Sequence, residues 1–283
     1  MRWQGRRQSS NVEDRRGTGG RGLTVGGGVG AVIALVIYLF FGGKGDKITQ
    51  ITQSLQKSEP SRVRTLSAHE KELGDFAAVI LADTEDVWNL LFKKAGRKYR
   101  EPKMVLFSGA TGSACGYAQS ATGPFYCPGD EKVYIDLEFF EELQRRLDAQ
   151  GDFAMAYVIA HEIGHHVQKL LGIMDQKNQM RERLNKREFN RISIQLELQA
   201  DFLAGVWTHH AQRMKNILEE GDIEEGINAA GAVGDDRIQK KTRGYVVPDS
   251  FTHGTSAQRT RWFLKGWKTG DINQGNTFDA REL

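Results

Sequence analysis

The sequence predicts an α+β fold, mainly helical with a small antiparallel sheet, following one N-terminal transmembrane helix. Three observations predict it. No proline falls between Pro128 and Pro248, so a long stretch lacks the residue that breaks helices. Ahead of it and at its very start lie four short aromatic and β-branched runs separated by Gly and Pro, which read as strands. Further upstream, residues 23–43 carry no charge, and about 20 apolar residues span the roughly 30 Å of bilayer hydrocarbon.

The elements follow in order. Residues 1–22 hold six arginines and few apolar groups; such a composition buries too little surface to fold, so a disordered basic tail is expected. The uncharged run 23–43 is expected to be a single-pass anchor. The 'FFGGKGDK' that follows offers a poor small-x-small cleavage site, which argues against a removed signal peptide. Residues 44–65 are polar and read as a linker, and residues 66–283 as one globular domain. In the domain, 'AHEKELGDFAAVILADTEDVWNLLFKKAG' reads as two helices, the second starting at Thr84 with Glu85 and Asp86 in its first turn. 'KMVLFSG', 'CGYAQ', 'PFYCP' and 'KVYID' are the strands. 'LEFFEELQRRL', 'AYVIAHEIGHHVQKLLG' and 'EFNRISIQLELQADFLAGVWTHHAQ' are helical patterns, and a last helix begins near Thr255.

Formal charge is only +3, so nothing global points to nucleic acid. The two cysteines, Cys115 and Cys127, flank a Gly/Pro turn region and are expected to pair. A disulfide needs an oxidising compartment. Lys and Arg within fifteen residues are equal on the two sides of the uncharged run, but the wider count leans towards a cytoplasmic N-terminus. The cysteines together with that arginine-rich start place the domain outside the cytoplasm.

The chemistry concentrates in 'HEIGHH'. His161 and His165 are four residues apart, one turn along one helix face, so two imidazole nitrogens can converge on one metal. Glu162 between them completes His-Glu-x-x-His, which on a helix reads as a zinc hydrolase core with the glutamate as base. His166 sits about 140° off that face and is expected to be exposed or to lie behind the site. Catalytic zinc takes three protein ligands and keeps one position open. Gln168 and Leu171 stand where one class of zinc protease needs Gly and His, which excludes that class. The next helical pattern offers Glu197 as third ligand and Asp201, one turn on, to accept the far N–H of a ligand histidine. Acids on an otherwise apolar face need such partners. Ala200, Ala204 and Gly205 are small enough to let the two helices approach. Glu188, His209 and His210 remain rivals for the third ligand.

The strings 'VIAHEIGHHVQ', 'LELQADFLAGVW' and 'FTHGTSAQR' resemble the neutral zinc metallopeptidase family of bacterial, membrane-anchored proteins, and the His-Glu-x-x-His…Glu-x-x-Ala-Asp spacing is gluzincin-like. The resemblance covers most of the chain after the linker. It implies a zincin-like domain on the periplasmic side of an inner membrane. It also implies one Zn2+ on His161, His165 and Glu197, Glu162 as base, Asp201 behind, and a peptide or protein substrate. A donor to the developing oxyanion is sought in 'RGYVVPDSFTHGTSAQR', where His253 is favoured over Tyr245; Arg259 is a weaker candidate to pair with Glu197, Asp201 or substrate. Residues 132–136 are a candidate edge strand for an extended substrate. The competing expectation is a non-catalytic scaffold or binding protein that keeps zinc on the same fold.

Overall fold

The structure is a computed structural model that describes residues 1–16, 65–119, 123–140, 151–180 and 183–283. Residues 23–43, the expected anchor, and most of the expected helix 137–147 lie outside the described residues. Among those described, no helix is long and apolar enough to cross a membrane.

The first fourteen residues correct the expectation of a disordered tail. Met1–Asp14 and Ser67–Leu283 form one folded unit. Strand β1 (Val12–Asp14) pairs in parallel with β2 (Lys103–Phe107). The arginines that composition assigns to solvent meet a matching row of acids. Arg6 reaches Asp83 at 2.7 Å and Arg7 reaches Glu85 at 3.0 Å and Asp86 at 2.8 Å. Trp3 packs edge-on against Phe76, and Met1 is buried. Composition cannot show this, because the compensating charges lie far along the chain.

Those same acids explain a second correction. Helix α1 (Ala68–Lys94) is continuous where two helices are expected. Its start is fixed by Ser67 and Glu70, which accept each other's backbone N–H in a capping box. Thr84 is no cap: its hydroxyl donates to the carbonyl of Leu81 within the helix. Asp83, Glu85 and Asp86 are acidic because Arg6, Arg7 and Lys215 face them, not because a helix begins there.

The sheet has the order β1–β2–β6–β5, with β6 at Lys132–Asp136 and β5 at Phe125–Cys127. β2 pairs in parallel with β6, and β5 runs antiparallel to β6. The sheet is therefore mixed rather than antiparallel. The long connection between β2 and β6 leaves room for a parallel return, and it also carries a separate antiparallel hairpin, β3 (Ala110–Ser113) with β4 (Gly116–Gln119). β6 lies between two strands, so residues 132–136 are not an edge; β5 is. Cys115, in the hairpin turn, is bonded to Cys127 at the end of β5, which ties the hairpin to the sheet.

The helical layer holds α2 (Asp152–Leu170), α3 (Ile173–Met180), α4 (Lys186–Lys215), α5 (Asp222–Ala232), α6 (Asp235–Arg243) and α7 (Ser256–Thr269). Small residues set the crossings. A Cβ on Gly164 of α2 would lie 3.0 Å from the Ala200 carbonyl of α4, and one on Gly205 of α4 would lie 2.1 Å from the Phe263 carbonyl of α7. Ala200 thus lets α4 approach α2 as expected, whereas Gly205 serves the contact with α7. Phe153, Tyr157, Phe202, Trp207 and Phe263 fill the space between these helices, where burying each large side chain contributes roughly 1.5–3 kcal/mol.

Candidate metal centre

The α2–α4 crossing at Gly164 and Ala200 falls between the two motifs, so the His face of α2 meets the acidic face of α4. Ligand atoms of His161, His165 and Glu197 all lie within 4.8 Å of one another. Glu197 Oε2 is 3.2 Å from His161 Nε2 and 3.4 Å from His165 Nε2. Both histidines are buried.

The far nitrogens fix the rings. His161 Nδ1 is 2.8 Å from Asp201 Oδ1, and a carboxylate can only accept, so Nδ1 carries the proton. His165 Nδ1 is 2.9 Å from Gln168 Oε1. The Gln168 amide nitrogen donates to the carbonyl of Leu196 and to Gln199, so Oε1 accepts from His165. Each ring therefore turns the lone pair of Nε2 towards Glu197. Two lone pairs facing a carboxylate at this range repel unless a proton or a cation lies among them. The donor set, two imidazole nitrogens and one carboxylate, fits zinc with a coordination position left open.

Asp201 is a hub. It is fully buried and takes Nε and Nη2 of Arg259 at 2.8 and 2.9 Å, together with the Tyr157 hydroxyl at 2.5 Å. Burial disfavours its charge, but Arg259 and His161 outweigh that and bring its pKa down to about 2. Burial likewise opposes protonation of His161, yet Asp201 and then Glu197 push its pKa up to about 9. With no cation present, a proton is held tightly there, so zinc and protons compete for the site.

Glu162 is buried next to His161 and is not one of the three clustered ligands. Glu188 caps the start of α4 by accepting the Asn185 N–H. His209 and His210 bond the carbonyls of Trp267 and Gly270 at the end of α7. These three rivals for the third ligand are occupied elsewhere. Tyr245 is 63% exposed.

His253 has a half-exposed side chain in a loop that rests on α4: a Cβ on its neighbour Gly254 would lie 3.3 Å from Leu198. Asp235, the first residue of α6, organises this loop. Its Oδ2 accepts the backbone N–H of Thr252, His253 and Gly254 at 2.7, 2.6 and 3.1 Å, and its Oδ1 is 3.2 Å from His253 Nδ1. The Asp235 bond raises the pKa of His253 against desolvation, with Glu197 adding to the rise.

His166 is neither exposed nor behind the metal ligands. It is fully buried, donates from Nε2 to the Arg100 carbonyl at 2.6 Å and accepts from the Tyr126 hydroxyl at 3.0 Å. Burial lowers its pKa, so it is a neutral pin between α2 and the sheet. His166→Ala is expected to cost about 1–3 kcal/mol for the stranded polar groups and to leave zinc content unchanged. Urea titration and elemental assay of the same sample check both; loss of zinc would tie His166 to the metal centre after all.

Tyr157, Gln168 and Asp235 escape the sequence reading. Tyr157 left a trace, since it precedes His161 by one turn on the same face. Gln168 and Asp235 left none, because an amide in a helix and an acid in a first turn are ordinary there.

Fold and site together define an α+β protein of zincin-like design, with a helix-borne His–His–Glu cluster backed by a buried Asp–Arg pair. The chain belongs to the family described as "Putative neutral zinc metallopeptidase", whose model matches residues 1–278. It is 50% identical over 284 residues to a protein of Escherichia coli K12 named "Uncharacterized protein YpfJ", covering 98% of this chain and 99% of that one. It is 44% identical over 195 residues to "Uncharacterized protein Rv2575" of Mycobacterium tuberculosis H37Rv, covering 65% of each. No solved structure matches it.

Proposed function

We propose that this protein is a zinc-dependent endopeptidase. The observation that carries the proposal is the convergence of His161 Nε2, His165 Nε2 and Glu197 Oε2, with both Nδ1 protons already committed to Asp201 and Gln168. When bound, zinc supplies Lewis acidity that lowers the pKa of water and polarises a carbonyl. Glu162 accepts the proton of the attacking water and delivers it to the leaving amine. His253, in its protonated form, donates to the oxyanion that develops on the scissile carbonyl. Asp235 holds that ring, and Asp201 and Gln168 hold the ligand rings.

The domain works in an oxidising compartment, a reading supported by the Cys115–Cys127 bond. Association with a membrane through residues 23–43, with no crossing implied, is part of the same proposal and is supported by their lack of charge. The test is to purify the full chain, assay zinc, and digest a peptide library with and without chelator. Chelator-sensitive cleavage supports the proposal. Bound zinc without turnover would move the weight to the scaffold reading, and no zinc after reconstitution would sink both.

The donor role of His253 makes a pH prediction. A raised pKa keeps the ring protonated to higher pH, and the donor is lost as pH rises through it. Asp235→Asn removes the main cause of the rise, so the alkaline limb of kcat/KM is expected to move to lower pH while zinc stays bound. An unmoved limb would take His253 out of the mechanism.

A further inference from the structure

The docking of the first fourteen residues constrains how this chain can meet a membrane. Three independent sets of contacts hold Met1–Asp14 to the body. The α-amino group of Met1 is 2.6 Å from Asp152 at the start of α2, and lies near Asp222 and Glu219. Arg6 and Arg7 pair with Asp83, Glu85 and Asp86 on α1, and the backbone of Ser9 donates to the Ala78 carbonyl. β1 then adds to the sheet as a parallel edge strand, its register running from Val12 opposite Met104 to Asp14 opposite Leu106. The match to the family model begins at residue 1, so this segment is part of the family's shared domain.

We infer that residues 1–14 and residues 67–283 occupy the same side of the membrane. The two flanks of a single-pass span lie on opposite faces, separated by about 30 Å of hydrocarbon. That arrangement would pull β1 from β2 and leave Glu85, which is buried, without Arg7, Ser9 and Asn11, which all donate to its carboxylate. Stranding a buried charge is costly. The uncharged run is long enough for one crossing and not for two. The inference does not depend on the metal centre or on peptidase activity. It revises the topology expected from the sequence, in which the basic N-terminus faces the cytoplasm and the domain lies outside.

The test uses the full chain in bacterial membranes. Two variants that each add one free thiol beside the Cys115–Cys127 disulfide, Gln8→Cys and Lys240→Cys, both at exposed positions, are treated with a membrane-impermeant maleimide in sealed spheroplasts and in inverted vesicles. The expected result is that both sites label from the same face, to within about twofold. Labelling from opposite faces overturns the inference. In parallel, the double variant Val12→Cys/Met104→Cys is oxidised in the same membranes. A cross-link between the two positions is expected, because they are register partners. Same-face labelling without a cross-link overturns it too, since the strand pairing on which it rests would be absent. Zinc content is measured on each variant, so a failure of the peptidase reading shows up separately.

Discussion

Glu162→Gln is expected to bind zinc as the unaltered chain does, and to lose peptide hydrolysis by about 10²–10⁴-fold, the usual size of a general-base contribution. The separation follows from the geometry. Glu162 stands beside His161 yet outside the ligand cluster, so an isosteric amide there removes the proton acceptor and leaves the ligands in place. His161→Ala is expected to do the reverse at the first step: zinc falls from about one per chain towards none, and activity goes with it. Elemental analysis and single-peptide turnover on the same preparations distinguish the two roles. Zinc lost from Glu162→Gln would make that residue a ligand. Full activity in the same variant would remove it from the chemistry.

The second large effect is expected at Arg259. Arg259→Ala leaves the Asp201 carboxylate fully buried with its main cationic partner gone. Breaking a buried pair from one side costs about 3–5 kcal/mol, which for a chain of this size lowers Tm by roughly 10 °C. Because Asp201 also holds His161, zinc affinity is expected to fall by about 10–100-fold, as when a partner behind a metal ligand is lost. Arg259→Lys keeps the charge but not the two-pronged contact, and should fall between. Thermal unfolding with saturating zinc, together with a competition titration for zinc, reads both effects. A Tm within about 1 °C of the unaltered chain would show that Tyr157 and His161 alone satisfy Asp201.

Most of the metal centre was legible because a helix converts sequence spacing into direction. His161 and His165, and separately Glu197 and Asp201, are four apart, and each pair occupies one face however the helices are arranged. The groups behind the ligands were less legible. Arg259 lies 58 residues from Asp201, and nothing local distinguishes it from a surface arginine. Asp235 reads as a favourable first-turn acid, a role its position at the start of α6 also permits. His166 was misread because helix geometry says which way a ring points but not what it meets. Here it meets Tyr126 and the Arg100 carbonyl.

The sequence by itself determined the α+β class, the helix that carries His161, Glu162 and His165, the acidic pair on the next helix, and the capped start of the last helix at Thr255. These rest on local periodicity and capping, which the chain carries within a few turns. Only the tertiary structure decided that α1 is one helix, that the sheet is mixed with β6 inside it, that Asp201 is neutralised by Arg259, and that the basic first residues belong to the folded body. Each depends on a partner distant in sequence. A charge or a short strand is stabilised by what lies opposite it in space, and composition taken window by window does not carry that information.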